Sequence, residues 1–148
     1  MSDSFVNIIN DVYRLKGNFT PEHIENKLNK LAKQSNRRQS RICLHRNDND
    51  HIHLMYICHL KNCQVRIHKH EDHPEWIIFH KAKAKLIYYD KEGKEVNNFN
   101  IDTYKNGSPI IHFIPKAVFH NFLFEEDSYF LEVVQGPFDK NQTTFLAF

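Results

Sequence analysis

From residue 41 to the end of the chain, apolar positions recur every second residue, whereas the first 40 residues space them as a helix does. Phe5, Ile8, Ile9, Val12, Tyr13 and Leu15 predict one short helix, stopped at Gly17. Thr20 and Pro21 predict the start of a second, with a capping hydroxyl and a proline at the first helical position. Ile24, Leu28, Leu31 and Ala32 form its apolar face. Helices this short are marginal alone, so the pair is expected to pack on the remainder of the chain.

That remainder reads as strands. Ile52, Leu54, Tyr56, Cys58 and Leu60 alternate with His51, His53, Met55, Ile57 and His59, and Val65 and Ile67 alternate with Arg66, His68 and His70. Residues 81–88 alternate lysines with small or apolar residues, and Asp90 to Lys94 is a hairpin turn with Gly93 at a positive φ. Further strands are predicted at 98–104, 110–114, 119–124 and 128–134. Many short strands with close turns point to a sandwich or small barrel. The division expected is a helical segment, residues 1–40, packed on a β-barrel domain, residues 41–148.

The histidines carry the candidate chemistry. His68 and His70 lie two apart on a strand and face the same way. Glu75 comes after them across His73-Pro74, and His120 ends the run Pro115-Lys116-Ala117-Val118-Phe119-His120. Three imidazoles and a carboxylate in this order suit one divalent transition metal (Fe, Mn, Ni or Zn) with open positions for a ligand. The pair alone is weak evidence. With 11 His in 148 residues, about one His-x-His arises by chance, and His51-Ile52-His53 is a second pair to which no role is given.

Composition excludes more than it identifies. A net charge of +2 gives no global pull toward nucleic acid or membrane, and no apolar run is long enough to span a bilayer. Cys43, Cys58 and Cys63 are odd in number without a CxxC spacing, which fits reduced thiols. Met1-Ser2-Asp3-Ser4 shows no secretion signal. The expectation is a soluble cytoplasmic protein that binds a small molecule.

The ordered His-x-His-x4-Glu and the later Pro-x-small-x-x-His resemble the two cupin motifs. That resemblance implies a mainly β cupin double-stranded β-helix, or jelly-roll barrel, with the N-terminal pair of short α-helices added to it. It implies His68, His70, Glu75 and His120 as the metal ligands, and a homodimer. Ala82, Pro109 and Ala117 stand where cupin motifs have glycines. A narrower resemblance covers about residues 22–148. Leu31-Ala32-Lys33, Arg37-Arg38-Gln39-Ser40-Arg41, Leu44-His45, His68-Lys69-His70 and the closing Glu132-Val133-Val134-Gln135-Gly136-Pro137-Phe138-Asp139 are similar to the WbuC-type cupin metalloproteins. That family implies bacterial surface-polysaccharide (O-antigen, lipopolysaccharide) biosynthesis.

Such a centre could isomerise or epimerise a nucleotide sugar beside a keto group, with His112, Tyr56 or Tyr88 as the base. Arg66 shares the parity of His68 and His70 and could hold a substrate anion; Arg37, Arg38 and Arg41 could hold a diphosphate. A solvated surface is the plain alternative for all four. Glu132 reads as a structural acceptor, Trp76 as core or a sugar-stacking ring, and Phe119, Phe122, Phe124 and Phe130 as barrel filling. Two other functions stay open: a non-catalytic binding or scaffolding cupin, and an Fe(II)-dependent dioxygenase.

Overall fold

Period-two patterning over most of the chain produces two facing sheets in the computed structural model, which describes residues 5–15 and 18–147. The elements are β1 (Phe5–Ile9), β2 (Val12–Leu15), α1 (Pro21–Gln34), β3 (Gln39–Cys43), β4 (Ile52–His59), β5 (His68–His70) and β6 (Glu75–Lys81), then β7 (Lys83–Tyr89), β8 (Glu95–Asp102), β9 (Ile111–Ile114), β10 (Phe119–Phe124), β11 (Ser128–Gln135) and β12 (Thr143–Phe145). The larger sheet runs β1-β2-β3-β4-β11-β6-β9 and the smaller β12-β5-β10-β7-β8. Among the described residues the strands do not hydrogen-bond into a closed barrel, so the fold is mainly β as expected, but as two separate facing sheets.

The first predicted helix is not one. Residues 5–15 form a hairpin, β1 antiparallel to β2, turning through Asn10 at φ 49° and Asp11. β2 then pairs in parallel with β3, which offers a sheet edge that outweighs a weak helical periodicity. Ile8 and Ile9 are exposed on β1, while Val12, Tyr13 and Leu15 on β2 pack partly buried against the sheets, so the apolar positions that suggested a helix do not share one buried face. The Gly17 stop lies outside the described residues.

The second helix forms as its sequence dictates. Thr20 Oγ1 accepts from the His23 amide at 3.3 Å, Pro21 opens the first turn, and the Ser35 amide closes the last on the Leu31 and Ala32 carbonyls. Leu28 and Ala32 are wholly buried against Ile42, Tyr56, Cys58 and Leu60 on the outer face of the larger sheet. Ser40 Oγ donates to the Leu28 carbonyl at 2.7 Å, tying β3 beneath the helix.

Between the sheets lies the second apolar layer, in which Ile57, Ile77, Phe79, Leu86, Phe122 and Phe130 meet. Three free cysteines are buried, Cys58 on the helix side and Cys43 and Cys63 on this inner side. The Asp90–Lys94 turn is as expected, with Gly93 at φ 82° and the Asp90 amide donating to the Lys94 carbonyl. Among the described residues no helix is long and apolar enough to cross a membrane.

One buried charge fixes the helix to the sheet. The Glu25 carboxylate lies 2.6 Å from Lys81 Nζ and 2.7 Å from His80 Nδ1, and accepts from Tyr56 Oη at 2.9 Å. Burial alone would raise its pKa, but hydrogen bonds from Lys81 and Tyr56 outweigh that and hold it below the ordinary carboxylate value. A depressed carboxylate contributes stability in full above its unfolded pKa and loses it as pH falls through the folded one. Stability should therefore decline below about pH 4.5. Glu25→Ala, which strands Tyr56 and Lys81, should cost about 2–4 kcal/mol in urea unfolding at neutral pH and flatten that acid slope.

The turn before β10 carries a cost that one substitution should remove. Ala117 sits at φ 61° and donates its amide to the His70 carbonyl at 2.6 Å, so the turn is held although the residue is not glycine. A left-handed conformation costs a residue with a Cβ about 1–2 kcal/mol. Ala117→Gly should raise the urea midpoint by the equivalent of about 0.5–1 kcal/mol, the relief being partly offset by the freer unfolded chain.

Candidate metal centre

Three strands and one turn assemble the site. β5 presents His68 and His70, the antiparallel pairing of β10 with β5 sets His120 opposite His68, and β6 begins with Glu75 on the facing sheet. One ring nitrogen from each of His68, His70 and His120 lies within 4.8 Å of the others. His70 Nε2 is 3.0 Å from Glu75 Oε1, and His120 Nε2 is 3.1 Å from Glu75 Oε2. Glu75 and His120 are almost fully buried.

The other ring nitrogens are already committed. His68 Nδ1 donates to the Arg66 carbonyl at 2.8 Å, and His120 Nδ1 to the Val118 carbonyl at 2.9 Å. A carbonyl only accepts, so both protons belong on Nδ1 and both lone pairs on Nε2. His70 Nδ1 meets the Thr143 hydroxyl at 3.2 Å. The His120 lone pair and a Glu75 oxygen, both acceptors, thus face each other across 3.1 Å. Something positive must stand there, a proton or a metal ion, and three imidazole nitrogens with one carboxylate match a divalent transition metal.

Electrostatics obeys the same arrangement. Burial would raise the Glu75 carboxyl, but hydrogen bonds to His120 and His70 win and hold it well below the carboxylate range. Burial pulls His70 down, but the Glu75 hydrogen bond outweighs this and raises it. His68 is pushed down to about 4 by burial and by His120, which keeps its imidazole neutral and able to ligate. Glu132 lies on the inner face of β11, two register positions from the residue paired with Glu75, and burial, then the Glu75 charge, push its carboxyl up. Its side chain keeps some accessible surface although protein surrounds it, as a residue lining an interior space does.

The other candidates are dispersed. Tyr88 is the cross-strand neighbour of His120 and donates to the Phe113 carbonyl at 3.3 Å. His112 is buried on the inner face of β9, its Nε2 3.0 Å from the Pro109 carbonyl. Tyr56 lies on the opposite face of the sheet, beneath α1 with Glu25. The Arg66 carbonyl orients His68, while its guanidinium lies over the Phe145 ring at 4.2 Å. Arg37, Arg38 and Arg41 do not form one patch. Arg37 reaches the Gln39 side-chain oxygen (2.7 Å from Nη2), Arg38 donates to the Lys61 carbonyl at 3.2 Å, and Arg41 points between the sheets. Trp76 is exposed on the outer face, packed on Phe113 with ring centroids 4.8 Å apart. Phe122, Phe124 and Phe130 fill the interior.

Two supporting residues, Thr143 and His73, are not among the candidates read from the sequence. Thr143 lies 73 residues from the His70 it contacts, brought there by β12 pairing with β5. His73 stacks on His70 with centroids 4.9 Å apart and is held by Asp72 at 2.9 Å; its place beside the His-x-His pair is the one available signal.

Solved structures share this fold at low sequence identity. The capsular polysaccharide assembling protein CapF from Staphylococcus aureus matches with a TM-score of 0.60 and 17% identity, over 77% of this chain and 33% of that one. Oxalate decarboxylase from Bacillus subtilis matches with a TM-score of 0.52 and 19% identity, over 66% of this chain and 24% of that one. Protein SO0799 from Shewanella oneidensis matches with a TM-score of 0.51 and 15% identity, over 70% of this chain and 67% of that one. This chain therefore spans a third or less of the CapF and oxalate decarboxylase chains. These are cupin-fold proteins, and the fold here is theirs, in agreement with the cupin resemblance. No curated protein matches the sequence. A family model does match, over residues 21–101, a stretch that includes α1, β5 and three of the four residues grouped at the centre. That is more than half of the chain, and the protein belongs to the family described as Domain of unknown function (DUF6016).

Proposed function

We propose that this chain is a metal-dependent cupin of surface-polysaccharide synthesis, with His68, His70, Glu75 and His120 holding one divalent transition ion. The observation that carries the metal is the approach of His70 Nε2 and His120 Nε2 to Glu75 while their Nδ1 atoms meet the Thr143 hydroxyl and the Val118 carbonyl. Oxalate decarboxylase, which shares the fold, has Mn(II) centres, and that supports a divalent ion. The role of CapF in capsular polysaccharide assembly, with the WbuC-type resemblance, supports the pathway.

The substrate class in this reading is a nucleotide sugar, isomerised or epimerised beside a keto group. An ion held by this donor set would polarise the carbonyl as a Lewis acid. His112 is the residue best prepared to accept the proton. Its Nε2 proton is committed to the Pro109 carbonyl, which puts the lone pair on Nδ1, and burial lowers its pKa and keeps the ring neutral. Tyr88, whose pKa burial and the Glu75 charge raise, is suited to keep its proton and donate a hydrogen bond. Exposed Ile111, Phe113 and Trp76, on and beside the edge strand β9, support a homodimer, for which sedimentation should return twice the chain mass.

Metal analysis of untagged protein should find close to one divalent ion per chain. His68→Ala with His120→Ala should abolish it while β-type circular dichroism is retained; full occupancy in that double variant would sink the site. Thr143→Val, which frees His70 Nδ1, should weaken metal affinity by about 10–100-fold in a chelator competition.

A further inference from the structure

Among the described residues the Arg41 guanidinium, turned between the sheets, has no oxygen acceptor. Its neighbours on β3, Ser40 and Ile42, pack under α1, so strand alternation turns Arg41 to the inner face. There its Nη1 reaches only the Met55 thioether, at 3.9 Å, and Met55 belongs to the inner apolar layer. Among the described residues no carboxylate lies within ion-pairing distance of this half-buried guanidinium. A half-buried guanidinium without an oxygen acceptor sets Arg41 apart from Arg37 and Arg38 of the same segment, which both have acceptors.

A second group nearby is also unpaired. His59, two residues beyond the cross-strand partner of Arg41 on β4, is buried with its Nδ1 free of any partner. Burial first, then the Arg41 and Arg37 charges, push it down to about 3. The inner face of the larger sheet links this group to the metal centre: Met55 is in register with Glu132, and Glu132 with Ile77, which shares its strand face with Glu75. The Glu132 carboxyl feels both Glu75 and Arg41.

We propose that Arg41, with His59 beside it, is an anion subsite that takes a carboxylate of the ligand bound at the metal centre. The inference rests on the metal-centre reading and deepens it. A carboxylate is chosen over a phosphate for two reasons. One guanidinium offers a bidentate match to one planar monoanion. The nearby carboxyls of Glu132 and Glu75 would repel a dianion. Within the sugar-nucleotide reading this implies an acidic sugar, its carboxylate on Arg41 and its hydroxyl or keto oxygens toward the histidines.

Calorimetric titration of metal-loaded protein with glucuronate, glucose and inorganic phosphate tests this, with metal content measured on each sample. Glucuronate should bind wild type, and glucose, which lacks the carboxylate, should bind about tenfold more weakly or not at all. Arg41→Met should weaken glucuronate about tenfold with bound metal unchanged, and Arg41→Lys should recover part of that loss. Equal glucuronate affinity in wild type and Arg41→Met, no glucuronate binding at all, or a preference for phosphate would overturn the subsite. A wild type that binds glucuronate through Arg41 but holds no metal would instead overturn the metal-centre reading, which separates the two failures.

Discussion

A buried carboxylate between two sheets is the constraint on which this molecule turns. Glu75 enters the interior at the first residue of β6, where leaving a charge unpaired is prohibitive. His70 and His120 answer it from the opposite sheet at 3.0 and 3.1 Å. For both to do so, β5 and β10 must be paired in register, the turn at Ala117 must hand its amide to the His70 carbonyl, and the Thr143 hydroxyl and the Val118 carbonyl must meet the ring nitrogens behind. A slip of one residue in either strand would send its histidine to the other face and leave Glu75 short of a partner. The register of the smaller sheet and the integrity of the centre are therefore one requirement.

The larger sheet repeats that requirement on its other side. Glu25, on the outer face, is a second buried carboxylate answered by Tyr56, His80 and Lys81. Tyr56 on β4 and His80 on β6 belong to strands whose inner faces supply Met55 and Glu75. The helix thus braces, from behind, the strands that carry the interior groups.

Alternation at period two is enough to read much of this. Strands 110–114, 119–124 and 128–134 fall within a residue or so of β9, β10 and β11, and the turn at Gly93 is where its sequence puts it. His68, His70 and Glu75 are legible because their spacing is local, and His120 because the run 115–120 marks it, and the structure brings the four together. Residues 5–15 mislead because Phe5, Ile8, Ile9 and Val12 fit a helix nearly as well as a hairpin, and the edge of β3 that decides between them is not local. Thr143 is invisible for the same reason. The run Arg37-Arg38-Gln39-Ser40-Arg41 looks like one basic patch because nothing in its composition marks the start of β3 inside it. Strand geometry splits it, leaving Arg37 and Arg38 exposed and turning Arg41 inward.

That split joins the helix to the chemistry. The direction of Arg41 is set by what its two neighbours do: Ser40 donates to the Leu28 carbonyl and Ile42 packs beneath the helix. Weakening the Glu25 attachment loosens the element that holds both in place, and with it the aim of a guanidinium on the far side of the sheet. An α1 bound only for stability would leave ligand affinity untouched when strained. In this architecture the two are coupled through a single strand, so Glu25→Gln should lower the affinity of a carboxylate ligand more than it lowers metal content. Calorimetry and metal analysis on the same folded sample at neutral pH measure both. Parallel loss of the two would mean that the helix supports the sandwich as a whole and has no particular hold on Arg41.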